Sequence, residues 1–129
     1  MTSLVCKVEL NKKEGVLITV EDASGRIKQS IVLNDKSITT TSKSNSNEST
    51  IVQTPESVSI KCSKFSVEAD TITCKSKAGS SYESGTGTSI KAGTTLKAQA
   101  STTADLKSNL VNVKGNGLVK ISGALIKLQ

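Results

Sequence analysis

From Val58 to its end, this chain repeats a short apolar–polar–apolar unit every seven or eight residues in most of its length. The units read Val58-Ser59-Ile60, Phe65-Ser66-Val67, Ile72-Thr73-Cys74, Ile90-Lys91-Ala92, Leu96-Lys97-Ala98, Val111-Asn112-Val113, Val119-Lys120-Ile121 and Ile126-Lys127-Leu128. Each is long enough for one short strand, with two side chains on one face and a polar residue on the other. Repetition at so short a period is the mark of a solenoid or β-helix. A chain written this way winds a shaft and encloses no pocket, which points to a mechanical or interaction role.

The material for a core is thin. Phe65 and Tyr82 are the only aromatics among 129 residues, and there is no tryptophan. Aromatic side chains supply much of the buried area of ordinary cores. Here Val, Ile, Leu, Ala and Thr must suffice, in a chain whose length allows one domain. So little burial per residue makes a marginal monomer, and oligomerisation is the expectation. No stretch repeats apolar residues at three and four for long enough to form an amphipathic helix. The abundant Thr, Ser and Val favour strands. The expected class is all-β.

Residues 1–57 are written differently from residues 58–129. Leu4, Cys6, Val8 and Leu10 share one face of a longer strand, and Val16, Ile18 and Val20 share a face of the next. Polar turns are expected at 11–15, 22–25 and 34–37, with a loop over 44–49. The simplest arrangement is a short β-meander. In the second part glycines recur at Gly79, Gly85, Gly87, Gly93, Gly115, Gly117 and Gly123, where corners with positive φ are expected. Residues 76–88 carry small or polar side chains at the inward positions, so the repeat is expected to loosen there.

Charge follows the same division. Residues 1–60 hold seven basic and seven acidic groups, whereas residues 61–129 hold ten lysines against Glu68, Asp70, Glu83 and Asp105. The net charge of +6 therefore belongs to the repeat. Lys61, Lys91, Lys97, Lys120 and Lys127 read as outward, where their stems cover apolar surface and their ammonium groups guard strand edges. Nucleic acid is not the expected partner. The one arginine, Arg26, lies in the neutral part, and no aromatics alternate with the lysines to stack bases.

Catalytic and metal chemistry find few residues to use. The chain has no histidine, hence no imidazole base and no imidazole ligand. Cys6, Cys62 and Cys74 are odd in number and form no disulfide framework. Cys62 and Cys74 fall on the inward parity and read as small buried hydrophobes. Glu68 and Asp70 flank Ala69 and point to one face, a pair that suits glycosidase chemistry in principle but reads as ordinary surface charge. Gly85-Thr86-Gly87 is too short for a phosphate loop. No catalytic residue, cofactor or metal is expected. The N-terminus lacks the basic start and apolar centre of a signal peptide, and no apolar run is long enough to span a membrane.

The segment 58–129 resembles the C-terminal β-helix of VgrG-type spikes, relatives of the cell-puncturing spikes of contractile phage tails. The likeness rests on Ser-Ile-Lys-Ala-Gly at 89–93, Leu-Lys-Ala at 96–98 and the ending from Val113 to Gln129. It implies an intertwined homotrimeric β-helix, prism-like, in which three parallel chains share one thin core. Stacking nine or ten repeats at the ~4.8 Å inter-strand spacing gives a shaft roughly 45 Å long. The resemblance implies a trimer core that includes Val111, Val113, Val119, Ile121, Ile126 and Leu128. It also implies an apolar end, formed by Leu125, Ile126, Leu128 and Gln129, that docks a PAAR-type cap protein.

The expected function is that of a non-enzymatic spike of a contractile injection system, such as type VI secretion. Such a spike transmits force to a target membrane and carries a cap or effector. Residues 1–57 would attach it to a tube, hub or baseplate; they are too short for the hub and barrel domains usual in the family. Met1 reads as a natural start, which makes the chain a minimal spike or a shaft with a small adapter, a fragment being the alternative. The resemblance implies assembly in the cytoplasm and export through the contractile apparatus without a signal peptide. Two other readings compete: a single-chain solenoid scaffold that polymerises end to end, as bactofilin-like proteins do, and a carbohydrate-active tail-fibre β-helix using Glu68 and Asp70.

Overall fold

A computed structural model describes residues 3–128. It contains one antiparallel sheet of six strands, in the order in which they occur along the chain. These are β1 (Leu4–Asn11), β2 (Gly15–Asp22), β3 (Lys28–Leu33), β4 (Ile38–Lys43), β5 (Glu48–Gln53) and β6 (Val58–Lys61). No helix occurs among the described residues. The all-β class and the meander follow the sequence reading. The chain forms two compact units, Met1–Lys75 and Ser76–Gln129.

The turns form where short polar side chains can cap the backbone. Asn11 Oδ1 accepts from the Lys13 amide at 2.8 Å, and Asn34 Oδ1 accepts from the Lys36 and Ser37 amides at 3.0 and 2.8 Å. Ser44 Oγ accepts from the Asn47 amide at 3.2 Å, and Thr54 Oγ1 from the Ser57 amide at 3.1 Å. Each of these last two turns is also closed by backbone: Ser44 N donates to Asn47 O at 2.8 Å, and Thr54 N to Ser57 O at 2.9 Å. Asn34, Ser44 and Thr54 thus open equivalent turns ten residues apart, a period the sequence reading did not register. The turn over 44–47 is shorter than expected, because Glu48 and Ser49 begin β5.

The register sorts the strand residues onto two faces. Val8, Ile18, Ile31, Thr40, Ile51 and Ile60 lie opposite one another across all six strands and make one file. Leu10, Val16, Leu33, Ile38 and Val58 fall on the same face. The charged strand residues Lys7, Glu9, Glu21, Lys28, Lys43, Glu48 and Lys61 all take the opposite face, and only Asp22 at the end of β2 joins the apolar one. A two-faced sheet is what period-2 alternation builds.

Two expectations are corrected. Val58-Ser59-Ile60, which reads as the first unit of the shaft, closes the meander: β6 pairs antiparallel with β5, as Ile51 opposite Ile60 fixes. Its apolar–polar–apolar pattern is the same in a hairpin strand as in a solenoid strand, so the sequence does not separate them. Positive φ occurs only at Gly15 (93°) and Gly25 (68°) among the described residues, both in the meander. The corners of the repeat do not use it. Gly115 serves by close approach instead, since a Cβ there would lie 2.9 Å from both Leu118 O and Val119 Cγ2.

Neither unit has a buried apolar core. Thr19 is the one buried residue among those described, and no hydrophobic side chain is buried. The accessible surface is 13067 Å², about twice the ~6,500 Å² expected of a folded monomer of this mass.

Candidate functional site

Beyond Lys61 no residue joins a strand ladder among the described residues, yet the backbone is regular. It bends at Ser63, Asp70, Lys77–Ala78, Gly85–Thr86, Gly93–Thr94, Ser101–Thr102, Asn109, Asn116–Gly117 and Ala124. The bends fall every seven or eight residues, which gives the sequence period a geometric form. Side chains hold some of them: Ser76 Oγ donates to Gly79 O at 2.6 Å, Ser84 Oγ donates to Gly87 O at 2.8 Å, and the Gly87 amide donates back to Ser84 Oγ at 3.2 Å.

Counting from each bend places the apolar pairs in one register. Phe65 and Val67 stand two and four residues past Ser63, Ile72 and Cys74 past Asp70, and Leu96 and Ala98 past Thr94. Val111 and Val113 follow Asn109 by the same steps, Val119 and Ile121 follow Gly117, and Ile126 and Leu128 follow Ala124. The same count supplies two units that pattern reading missed, Ser80 with Tyr82 and Ala104 with Leu106. It also moves the unit read as Ile90-Lys91-Ala92 to Thr88-Ser89-Ile90. The expected loosening over 76–88 does not interrupt the bend spacing, because serine–glycine turns keep the interval there.

The structure thus aligns the six residues expected to form a shared core, Val111, Val113, Val119, Ile121, Ile126 and Leu128, but does not bury them. Every described residue from Ser63 to Leu128 is exposed. At the end expected to dock a cap, Leu125 and Leu128 are 84% and 90% exposed, and Ile126 is 50% exposed. Gln129 lies outside the described residues. Apolar side chains that open to solvent this consistently have no partner within their own chain.

Electrostatics separate the units again. Residues 76–129 carry seven lysines against Glu83 and Asp105. The ion pairs among the described residues all lie in the sheet: Lys7 with Glu9, Lys28 with Glu21 at 2.8 Å and Lys43 with Glu48 at 3.6 Å. A charge-assisted hydrogen bond to Glu9, with its Coulomb attraction, raises the Lys7 ammonium above its ordinary range. The Ile27 amide and the Ser24 hydroxyl donate to Asp22 and hold its carboxyl below the ordinary range.

The alternative chemistries gather little geometry. Glu68 and Asp70 are both exposed, and Asp70 sits at a bend. Cys62 is half-buried and Cys74 exposed, unlike the buried thiols expected, because the core that would cover them is not formed within one chain. No group of three or more His, Cys, Asp or Glu side chains suited to a metal occurs among the described residues. No helix among them is long and apolar enough to cross a membrane. A surface concavity on the sheet is lined by turn residues such as Asn34, Lys36, Ser37 and Thr54, with no convergent set of reactive groups. Comparison with known proteins finds no matching family model, curated protein or solved structure.

Proposed function

We propose that this protein is the shaft of a trimeric spike, a non-enzymatic component of a contractile injection system that transmits axial force to a target membrane. One observation carries the reading: nine pairs of positions, from Phe65–Val67 to Ile126–Leu128, repeat in one register behind a bend, seven of them apolar at both positions, and all remain open to solvent. Side chains spaced this regularly need a partner with the same spacing, and a parallel copy of the same chain has it. Three copies would supply the missing inter-strand hydrogen bonds and close a thin aliphatic core. The scarcity of aromatics then has a reason, since large rings do not fit such an axis.

The competing single-chain solenoid would pair its own successive turns and bury its own pairs. The lack of any ladder and any buried side chain from Ser63 to Leu128 favours partners from other chains. Native mass spectrometry or sedimentation of the purified protein tests the reading. Chains of 13.4 kDa should give a particle near three times that mass, concentration-independent at micromolar protein. A compact monomer, or an open series of end-to-end polymers, overturns it.

At the C-terminal end, three copies of Leu125, Ile126 and Leu128 would present a blunt apolar platform, the seat of a PAAR-type cap. Residues 1–57 would attach the shaft to a tube, hub or baseplate. Deleting residues 124–129 should abolish capture of a cap protein and leave the trimer mass, less the deleted residues, intact. Undiminished capture by the truncated spike would remove the platform from the reading.

A further inference from the structure

We infer that the outer side of the last three repeats is a lateral docking stripe, leucines flanked by lysines, for an acidic segment of another protein that carries aliphatic side chains of its own. The inference rests on the trimeric reading of the shaft, because that reading decides which side chains face outward. Two observations carry it: residue type changes at one position of the repeat, and charge changes over the same stretch of chain.

In each repeat the paired positions stand two and four residues past the bend. Side chains alternate along a strand, so the residues one, three and five past the bend share the outward side. The residue directly after the bend is Lys64, Thr71, Gly79, Gly87, Thr95 and Thr103 in the earlier repeats, and Leu110, Leu118 and Leu125 in the last three. These leucines are 72%, 81% and 84% exposed, against 43%, 44% and 50% for Val111, Val119 and Ile126 beside them. Lys120 and Lys127 stand two residues past Leu118 and Leu125 and share their parity. Those leucines therefore cannot turn inward without taking an ammonium group with them. A single exposed leucine is ordinary surface. Leucine at one position of three successive repeats makes an apolar column, and such patches mark contact surfaces.

Asp105 is the last acidic residue in the sequence, and Lys107, Lys114, Lys120 and Lys127 follow it with no carboxylate side chain among them. Every ion pair among the described residues lies in the sheet, so this positive charge is not met within the chain. The complementary surface is apolar and negative. A nucleic acid supplies the charge but nothing for the leucines, and these repeats hold no arginine or aromatic residue to meet its bases. An anionic lipid surface supplies both properties but asks for no spacing, whereas one leucine per repeat is a ladder that matches a periodic partner. The aromatic residues that anchor proteins at lipid interfaces are also missing here. An extended protein segment that alternates aliphatic and acidic residues offers both groups at regular intervals. The stripe meets the end proposed to seat a cap only at Leu125.

Fluorescence anisotropy of a labelled peptide of alternating leucine and glutamate, titrated with the full chain, tests the inference. The peptide should bind with a dissociation constant below about 100 μM, and more weakly as salt is raised. Leu110→Ser combined with Leu118→Ser leaves residues 124–129 untouched. This double variant should bind roughly tenfold more weakly or worse, at unchanged trimer mass. No binding by a trimeric wild type, or undiminished binding by the double variant, overturns the stripe and leaves the trimeric shaft standing. Loss of the trimer in the double variant also overturns it, since the leucines then belong to the core. So does equal binding of a serine–glutamate peptide, which would reduce the contact to charge alone, or binding only to phosphatidylglycerol vesicles, which would assign it to lipid. A monomeric wild type overturns the trimeric reading and the outward assignment with it.

Discussion

Val119→Asp should abolish assembly of the proposed trimer, whereas Lys120→Asp on the adjacent position should leave it intact. Val119 stands two residues past Gly117 of the Asn116–Gly117 bend, and its side chain is already drawn to the turn, with Cγ2 2.9 Å from where a Gly115 Cβ would stand. In the proposed trimer three copies of residue 119 share one layer. A carboxylate there loses its water on assembly and faces two others of like charge. Each buried, unpaired charge costs several kcal/mol after relaxation, and at about 3 kcal/mol for each of three chains the assembly constant falls roughly a millionfold. The position next to it reverses the logic: Lys120 reads as outward, so an acid there changes surface charge in water, where pairs and repulsions are worth about 1 kcal/mol or less. Sedimentation of both variants beside the wild type separates these outcomes. Trimer formation by Val119→Asp at micromolar concentration would take residue 119 off the axis and the shared-core reading with it.

That prediction depends on a register that the sequence discloses only in part. Apolar pairs such as Val111–Val113 and Val119–Ile121 are legible because both members are aliphatic and the middle residue is polar. Ser80–Tyr82 and Ala104–Leu106 are not, because one member of each is small or polar and the eye finds no pair. Ile90-Lys91-Ala92 is read two residues late for a similar reason: alanine looks apolar and Thr88 does not, so the pattern settles on the wrong ends. Backbone bends are indifferent to side-chain polarity, and they recover all of these units at one offset.

The meander was more legible, and for a physical reason. Its turns are written in residues with a specific job: Asn11 and Asp22 end β1 and β2, Asn34 follows β3, and each accepts a backbone amide from the turn that comes next. Between them period-2 alternation assigns faces, and the register keeps Leu4, Cys6, Val8 and Leu10 together as the pattern requires. Pattern alone could not reveal that β6 belongs to this sheet, since strand pairing is a long-range choice that four residues do not encode. Nor does alternation tell which face water will meet. In most sheets the aliphatic face turns to a core within the chain. Here the aliphatics of that face stand open on every strand except β2, where Val16, Ile18 and Val20 are half-buried, and no alternation pattern encodes that.

Gly15→Ala should be the most damaging glycine substitution in the sheet, far beyond Gly25→Ala. Both glycines have positive φ, 93° and 68°, so each alanine would meet the backbone strain of a left-handed conformation, worth about 1–2 kcal/mol. Space distinguishes them. A Cβ at Gly25 meets nothing within 4 Å. A Cβ at Gly15 would lie 1.9 Å from Leu33 O, 2.9 Å from Leu33 C and 3.0 Å from Asn34 Cα, all of them backbone. No side chain can swing away; relief requires that β2 separate from the end of β3, where Val16 pairs with Leu33, or that the β1–β2 turn rebuild. Several cross-strand contacts then fail together, so the loss should exceed that of Gly25→Ala by about 2 kcal/mol or more. Denaturant midpoints at one fixed protein concentration make the comparison, since an oligomer's apparent stability moves with concentration. Equal midpoints for the two variants would mean that the first hairpin does not lie against the end of β3 as closely as described.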